Sequence, residues 1–166
     1  MFDQNDEHLP HALLTGSILK CCFEVMRELG SGFLESIYRN ALVIALKQRD
    51  LTLDIEKSFE VYFRQQKIGL YIADLVVNNT VIVELKCCKS LLGEHQAQTI
   101  NYLAAADLPV GLLVNFGHRN LEYKRVIHPF LSCRRDSGDP AGEADPVFFR
   151  RRQAMNDFNI LKDDPL

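Results

Sequence analysis

Between Leu13 and Leu29 the apolar residues Leu14, Ile18, Cys21, Cys22, Val25, Met26 and Leu29 fall at the spacing of one helix face, and Gly30 stops the run. A second helix is predicted from about Phe33 to Arg49, with Gly32 as its cap and Ile37, Ala41, Leu42, Ala45 and Leu46 turned inward. The period then shortens to two. LTLDIE, FEVYF, LYIADLVV and TVIVELK read as successive strands, with Lys67-Ile68-Gly69 and Asn78-Asn79 as turn signals. EHQAQTINYLAAADL returns to helical spacing, VGLLVNF reads as a buried strand and LEYKRVIH as a last alternating one. Helices, a meander of strands, a further helix and further strands predict an α/β sandwich built on a mixed sheet.

The pattern fades after Pro129. SCRRDSGDPAGEADP has the composition of a linker. VFFRRRQAMNDFNIL either forms a short amphipathic helix, with Asp145 as cap and Pro146 in its first turn, or stays unstructured. As a helix it could dock Phe148, Met155 and Phe158 on the domain or on a partner. The chain of 166 residues therefore divides into one domain over 1–130 and a tail over 131–166.

Composition narrows the classes. With 47% apolar and 25% charged residues the chain is an ordinary globular one. Its apolar runs are too short to span a bilayer, and MFDQNDEHLP is unlike a signal peptide, so a cytoplasmic location without membrane contact is expected. A net charge of −3 argues against a coat for nucleic acid but not against an enzyme that grips a few phosphates. The cysteines Cys21, Cys22, Cys87, Cys88 and Cys133 show no C-x-x-C spacing and read as reduced thiols rather than as a zinc or iron–sulfur site.

One strand stands out. VIVELK is apolar enough to be buried on both faces, yet it carries Glu84 and Lys86. Buried charges are costly unless paired or bound to a metal. An internal Glu84–Lys86 pair, or an edge strand with one wet face, is the plain explanation. Another comes from the strand before it. If the loop is Asn78 to Thr80, Val77 faces Val81, and counting back sets Asp74 opposite Glu84, with Cβ atoms about 5 Å apart. A two-residue Asn78-Asn79 turn would put the two carboxylates on opposite faces. In the first register Lys86 returns to the same face about 7 Å further along. Lys86 can offset one negative charge, and a divalent ion can offset both. Hard oxygen ligands with room for water suit Mg²⁺ or Mn²⁺.

Glu35, in GSGFLESIY, would complement the dipole at the start of the second helix whether or not it has another role. His95, Gln98 and Tyr102 share one face of the later helix, opposite Ile100 and Leu103, and could be an ordinary solvated face.

Together these residues resemble a known family. Gly32, Glu35 and Tyr38 fit the pattern that names the GxxExxY family. Asp74 followed by Glu84-Leu85-Lys86 is similar to the active-site motif of the PD-(D/E)XK nuclease superfamily, and Gln98-x-x-x-Tyr102 resembles the extra motif of its RecB-like branch. The resemblance covers residues 11 to 129 in order, with Ala73 where the superfamily often has proline. It implies a restriction-endonuclease-like core and a metal-dependent nuclease acting on nucleic acid, DNA somewhat favoured. Asp74, Glu84, the Leu85 carbonyl and Glu35, the last directly or through water, would hold the ion. Lys86 would orient or deprotonate the attacking water, and Gln98 would position that water or the metal shell. Tyr102 would hold a phosphate or support Gln98, and His95, more weakly, would contact a phosphate. The alternative is a non-catalytic module on the same fold that binds nucleic acid, a protein partner or a second copy of itself.

Overall fold

Residues 11–128 are described by the computed structural model, and the expected tail of 131–166, with Cys133, lies outside the described residues. Helix α1 (Ala12–Leu29) buries Ile18, Cys21, Cys22, Val25 and Met26 and ends where the Gly30 amide donates to the Met26 carbonyl (2.9 Å). Helix α2 (Glu35–Lys47) packs beside it. Its first turn is capped by Leu34 rather than Gly32, and its buried residues are Tyr38, Leu42, Val43 and Leu46. Ile37, expected inside, is 42% exposed. Tyr38, Leu42 and Leu46 form a stripe four residues apart, and Ile37 lies one position off it.

Strands β1 (Leu53–Phe63), β2 (Gln66–Val77), β3 (Val81–Lys86), β4 (Val110–Asn115) and β5 (Glu122–Ile127) form one sheet in sequence order. All neighbours are antiparallel except β3 and β4, whose parallel pairing requires a crossover, supplied by helix α3 (Gly93–Ala106). The α/β fold expected from the sequence is thus present, with the helices in two layers. Val81, Val83 and Leu85 face α1 and α2 with Leu75, Val77, Leu112 and Val114. Ile82 and Val76 face α3 with Tyr102 and Leu103. Gly111 lets α3 lie close on β4, since a Cβ there would come 2.7 Å from Thr99 Cγ2.

Two details depart from expectation. LTLDIE and FEVYF are not separate strands: from Leu53 onward both belong to β1, which carries a left-handed residue, Glu56 (φ 50°), at the end of the first segment. The β1–β2 turn is Arg64-Gln65, both at positive φ, as two-residue hairpin loops require. Lys67-Ile68-Gly69 lies inside β2, where the ladder shifts by one residue and leaves Ile68 as a bulge.

Candidate active site

The turn between β2 and β3 decides what faces what. It contains Asn78, Asn79 and Thr80, with Asn78 and Asn79 in the left-handed region (φ 49° and 48°) that asparagine tolerates. The Thr80 amide donates to the Val77 carbonyl (3.0 Å), and the Asn78 side chain accepts from the Thr52 amide (2.9 Å). This three-residue connection pairs Val77 with Val81, Val76 with Ile82 and Leu75 with Val83. There the ladder stops, while the β1–β2 hairpin continues on its own course. Asp74 and Glu84 stand at the fork. Their carboxylates take over bonds that the diverging backbones no longer exchange. The Leu85 amide donates to Asp74 Oδ2 (2.9 Å), and the Asp74 amide donates to Glu84 Oε1 (3.3 Å).

Charge accumulates at this point. Glu84 is only 3% exposed. Burial first, then the Asp74 charge, pushes its carboxyl up to about 8, against a smaller pull from Lys86. Lys86 Nζ lies 3.9 Å from Glu84 Oε2, at the outer limit of an ion pair. Glu35 of α2 is also held above the ordinary carboxylate range, by burial and then by Asp74, with Lys86, Arg39 and the Cys87 amide pulling the other way. From the opposite layer, Tyr102 is raised by burial and then by Glu84. Groups from both layers therefore sense the Asp74–Glu84 pair.

Gln98 Nε2 donates to the Tyr102 hydroxyl (3.1 Å), and the Tyr102 ring lies 5.0 Å from that of Tyr71. Tyr102 is thus a buried residue packed on β2, not part of a solvated face. His95 is partly consumed by the helix: its Nδ1 accepts from the Leu92 amide (3.1 Å), closing a cap at the start of α3.

Of the other contributors, Tyr38 belongs to the GxxExxY pattern, whereas Arg39 and Asn115 belong to no motif noted in the sequence. Arg39, one helical turn beyond Glu35, sets Nη1 3.0 Å from Glu56 and 3.6 Å from Asp74. Its Nε is buried without a partner. Asn115, at the end of β4, accepts from the Cys88 and Gly117 amides (3.0 and 2.9 Å) and donates to the Cys88 carbonyl and Glu122 (2.9 and 3.1 Å). It fixes the chain just beyond Lys86, and the Phe116 amide adds a bond to the Lys86 carbonyl (2.7 Å). A lone amide in VGLLVNF is the same kind of signal as a lone glutamate in VIVELK. Tyr38 is wholly buried, donates to the Gly30 carbonyl (2.7 Å) and stacks on Phe116 (4.6 Å), tying the α1–α2 connection to the end of β4.

The donor chemistry suits a hard divalent ion at the Asp74–Glu84 pair, where negative charge exceeds what the neighbours cancel. Among the described residues no group of three or more His, Cys, Asp or Glu side chains is arranged to hold a metal. Glu35 is near enough to sense the pair but does not complete a three-carboxylate cluster.

The sequence profile of the PD-(D/E)XK nuclease superfamily matches residues 12–126, well over half of the chain. The chain belongs to this superfamily. The five-stranded mixed sheet with three helices agrees with a PD-(D/E)XK core. A solved crystal structure of a protein designated SSO0001 is 19% identical with a TM-score of 0.47, covering 60% of this chain and 52% of its own. The chain thus spans about half the length of that protein. Curated proteins give no match. No helix among the described residues is long and apolar enough to cross a membrane.

Proposed function

We propose that this PD-(D/E)XK protein is a divalent-metal-dependent nuclease, similar to the GxxExxY family, that hydrolyses phosphodiester bonds of nucleic acid. The observation that supports it most is the Asp74–Glu84 apposition at the strand fork, with Glu84 raised to about 8. Such excess charge in a buried polar site is characteristic of sites built for chemistry.

In this reading Asp74 and Glu84 hold Mg²⁺ or Mn²⁺, with the Leu85 carbonyl beside them and Glu35 acting through water. The bound ion would supply Lewis-acid polarisation and a more acidic water. Lys86, two residues beyond Glu84, orients or deprotonates the attacking water and stabilises negative charge as it grows on the phosphate. Gln98 positions that water, and Tyr102 supports Gln98 or touches a phosphate oxygen. With Nδ1 engaged in the α3 cap, His95 retains only Nε2 for a phosphate.

A second reading is a module that binds nucleic acid or a protein without cutting. One observation favours it: Arg39 already faces Asp74 at 3.6 Å. Cleavage separates the two. On single-stranded, duplex and branched DNA and RNA with Mn²⁺, wild type should cut, and Lys86→Met and Glu84→Ala should be slower by a factor of about a hundred or more while remaining folded. A pure wild type that cuts nothing, or no faster than both variants, leaves the binding module.

A further inference from the structure

A cavity of about 570 Å³ opens between the C-terminal half of α1 and the β4–β5 connection. Its apolar lining comes from Phe23, Met26 and Leu121, its polar lining from Arg27, Arg119 and Asn120. Arg27 and Arg119 line it from different elements, and neither takes part in an ion pair among the described residues. Arg27 complements the C-terminal end of α1, where the last turn carries it. That role does not account for Arg119, which converges on the same space from a separate loop. Phe23, a lining residue, is 41% exposed, with its ring perpendicular to that of Tyr123 at 6.1 Å.

A chain of contacts links the cavity to the end of β3 that carries Lys86. Gly30, part of its wall, receives the Tyr38 hydroxyl, and Tyr38 stacks on Phe116, whose amide bonds the Lys86 carbonyl. Gly117 follows, pressed so close to Cys88 that a Cβ would come 2.3 Å from its carbonyl oxygen. Arg119 and Asn120 thus leave from a backbone fixed against the residues that follow Lys86.

We propose that this cavity binds one nucleotide of a single strand flanking the cut. Arg27 and Arg119 hold its phosphate, and its unstacked base lies on Phe23 and Leu121, with Asn120 available to the base edge. Two uncompensated cations fit a polyanion, and an open aromatic beside them fits a base freed from its stack. A duplex could not present a base in this way, so the site would favour single strands or frayed ends. The identity of the ligand rests on the nuclease reading.

The test is fluorescence anisotropy of the full chain in EDTA, with labelled single-stranded and duplex oligonucleotides of equal length over a range of salt. Arg27→Ser combined with Arg119→Ser should weaken single-strand binding about tenfold or more and make the salt slope shallower by roughly 0.7 per lost phosphate contact. Phe23→Leu should weaken the single strand about tenfold and leave the duplex unchanged. Lys47→Ser, which removes one exposed charge elsewhere, should leave both unchanged, and circular dichroism should show all variants folded. A double arginine variant with wild-type affinity and salt slope overturns the proposal, as does a Phe23→Leu protein that loses both probes equally. Arginine-dependent binding by a protein that cuts nothing sustains this site and removes the nuclease reading. Cleavage with arginine-independent binding does the reverse.

Discussion

Two carboxylates stand near the ends of adjacent strand pairs, and their surroundings have opposite effects. Glu122 lies at the start of β5, where the Asn115 carboxamide and the Leu91 amide donate to Oε2 and hold its carboxyl below the ordinary range. Glu84 lies in β3, where burial and Asp74 push it up to about 8. Around Asn115 each polar bond has a fixed partner: two amides donate to its oxygen, and its nitrogen donates twice. Around Glu84 two further carboxylates, Asp74 and Glu35, raise it, and the nearest cation among the described residues, Lys86, is 3.9 Å away. The first cluster is complete within the protein and can only hold the chain in place. In the second, among the described residues, carboxylates raise one another's affinity for protons, so its charge is not settled within the protein.

Stability measurements should separate the two most widely. Asn115→Ala removes four hydrogen bonds at once and leaves the Cys88 amide without its acceptor, so we expect a loss of about 3 kcal/mol and a melting temperature lower by roughly 10 °C. Glu84→Gln should act in the opposite sense. Glutamine keeps an oxygen for the Asp74 amide and removes the charge that Asp74 opposes, so in EDTA at pH 8 the variant should melt a few degrees higher, with no response to Mn²⁺. Calorimetry of both variants is the measurement. Should Glu84→Gln unfold as readily as Asn115→Ala, Glu84 is a structural group like Asn115.

The pH dependence gives the next effect, and its sign follows from protons bound. The folded Glu84 carboxyl sits near 8, against 4.5 for an unperturbed glutamate. Between those values the folded protein binds more protons than the unfolded chain, so the metal-free stability falls as pH rises through that window. Glu35, also raised, acts in the same direction. Glu122, lowered, contributes stability at neutral pH that is lost only on acidification. Melting in EDTA from pH 5 to 9 should therefore show wild type losing several degrees relative to Glu84→Gln. Mn²⁺ affinity should rise up to tenfold per pH unit over the same range, because each binding event displaces the Glu84 proton. A constant gap between the two proteins would mean that Glu84 ionises normally.

Much of this was legible in the sequence because period and register are local. The helical stripe of α1, the apolar β3 and the crossover through α3 all follow from spacing. The Asp74–Glu84 apposition followed once the turn was taken as three residues. What escaped depends on backbone excursions and on convergence in space. Polar Glu56, Lys57 and Ser58 interrupt the alternation while the backbone of β1 runs on through a left-handed Glu56, so one strand reads as two. Arg64-Gln65 makes a hairpin turn without glycine or asparagine. Arg39 meets Asp74, and Arg27 and Arg119 come to line one cavity, only because separate elements fold together. Tyr102 looked exposed on a helical wheel because its partner, Tyr71, lies far away in sequence.

The smallest effect concerns Arg39, which could belong to either kind of cluster. It contacts Glu56 at 3.0 Å and Asp74 at 3.6 Å, yet its Nε is buried without an acceptor, so its bonding is incomplete, unlike that of Asn115. If Arg39 offsets charge that a bound cation would also offset, Arg39→Met should lower the melting temperature by a few degrees in EDTA, because Asp74 then loses the guanidinium 3.6 Å away. Saturating Mn²⁺ should abolish that difference, since the ion takes over the charge Arg39 had been offsetting. Mn²⁺ affinity should rise severalfold at most, the scale of a partly exposed ion pair. A clamp would behave differently: the same loss would persist with and without Mn²⁺, and affinity would fall as Asp74 lost its orientation. Thermal melts at two metal concentrations, with Glu56→Gln alongside, distinguish these outcomes. Freeing Arg39 from Glu56 should strengthen its hold on Asp74 and weaken Mn²⁺ binding if the two cations compete, and should leave Mn²⁺ binding unchanged if they do not.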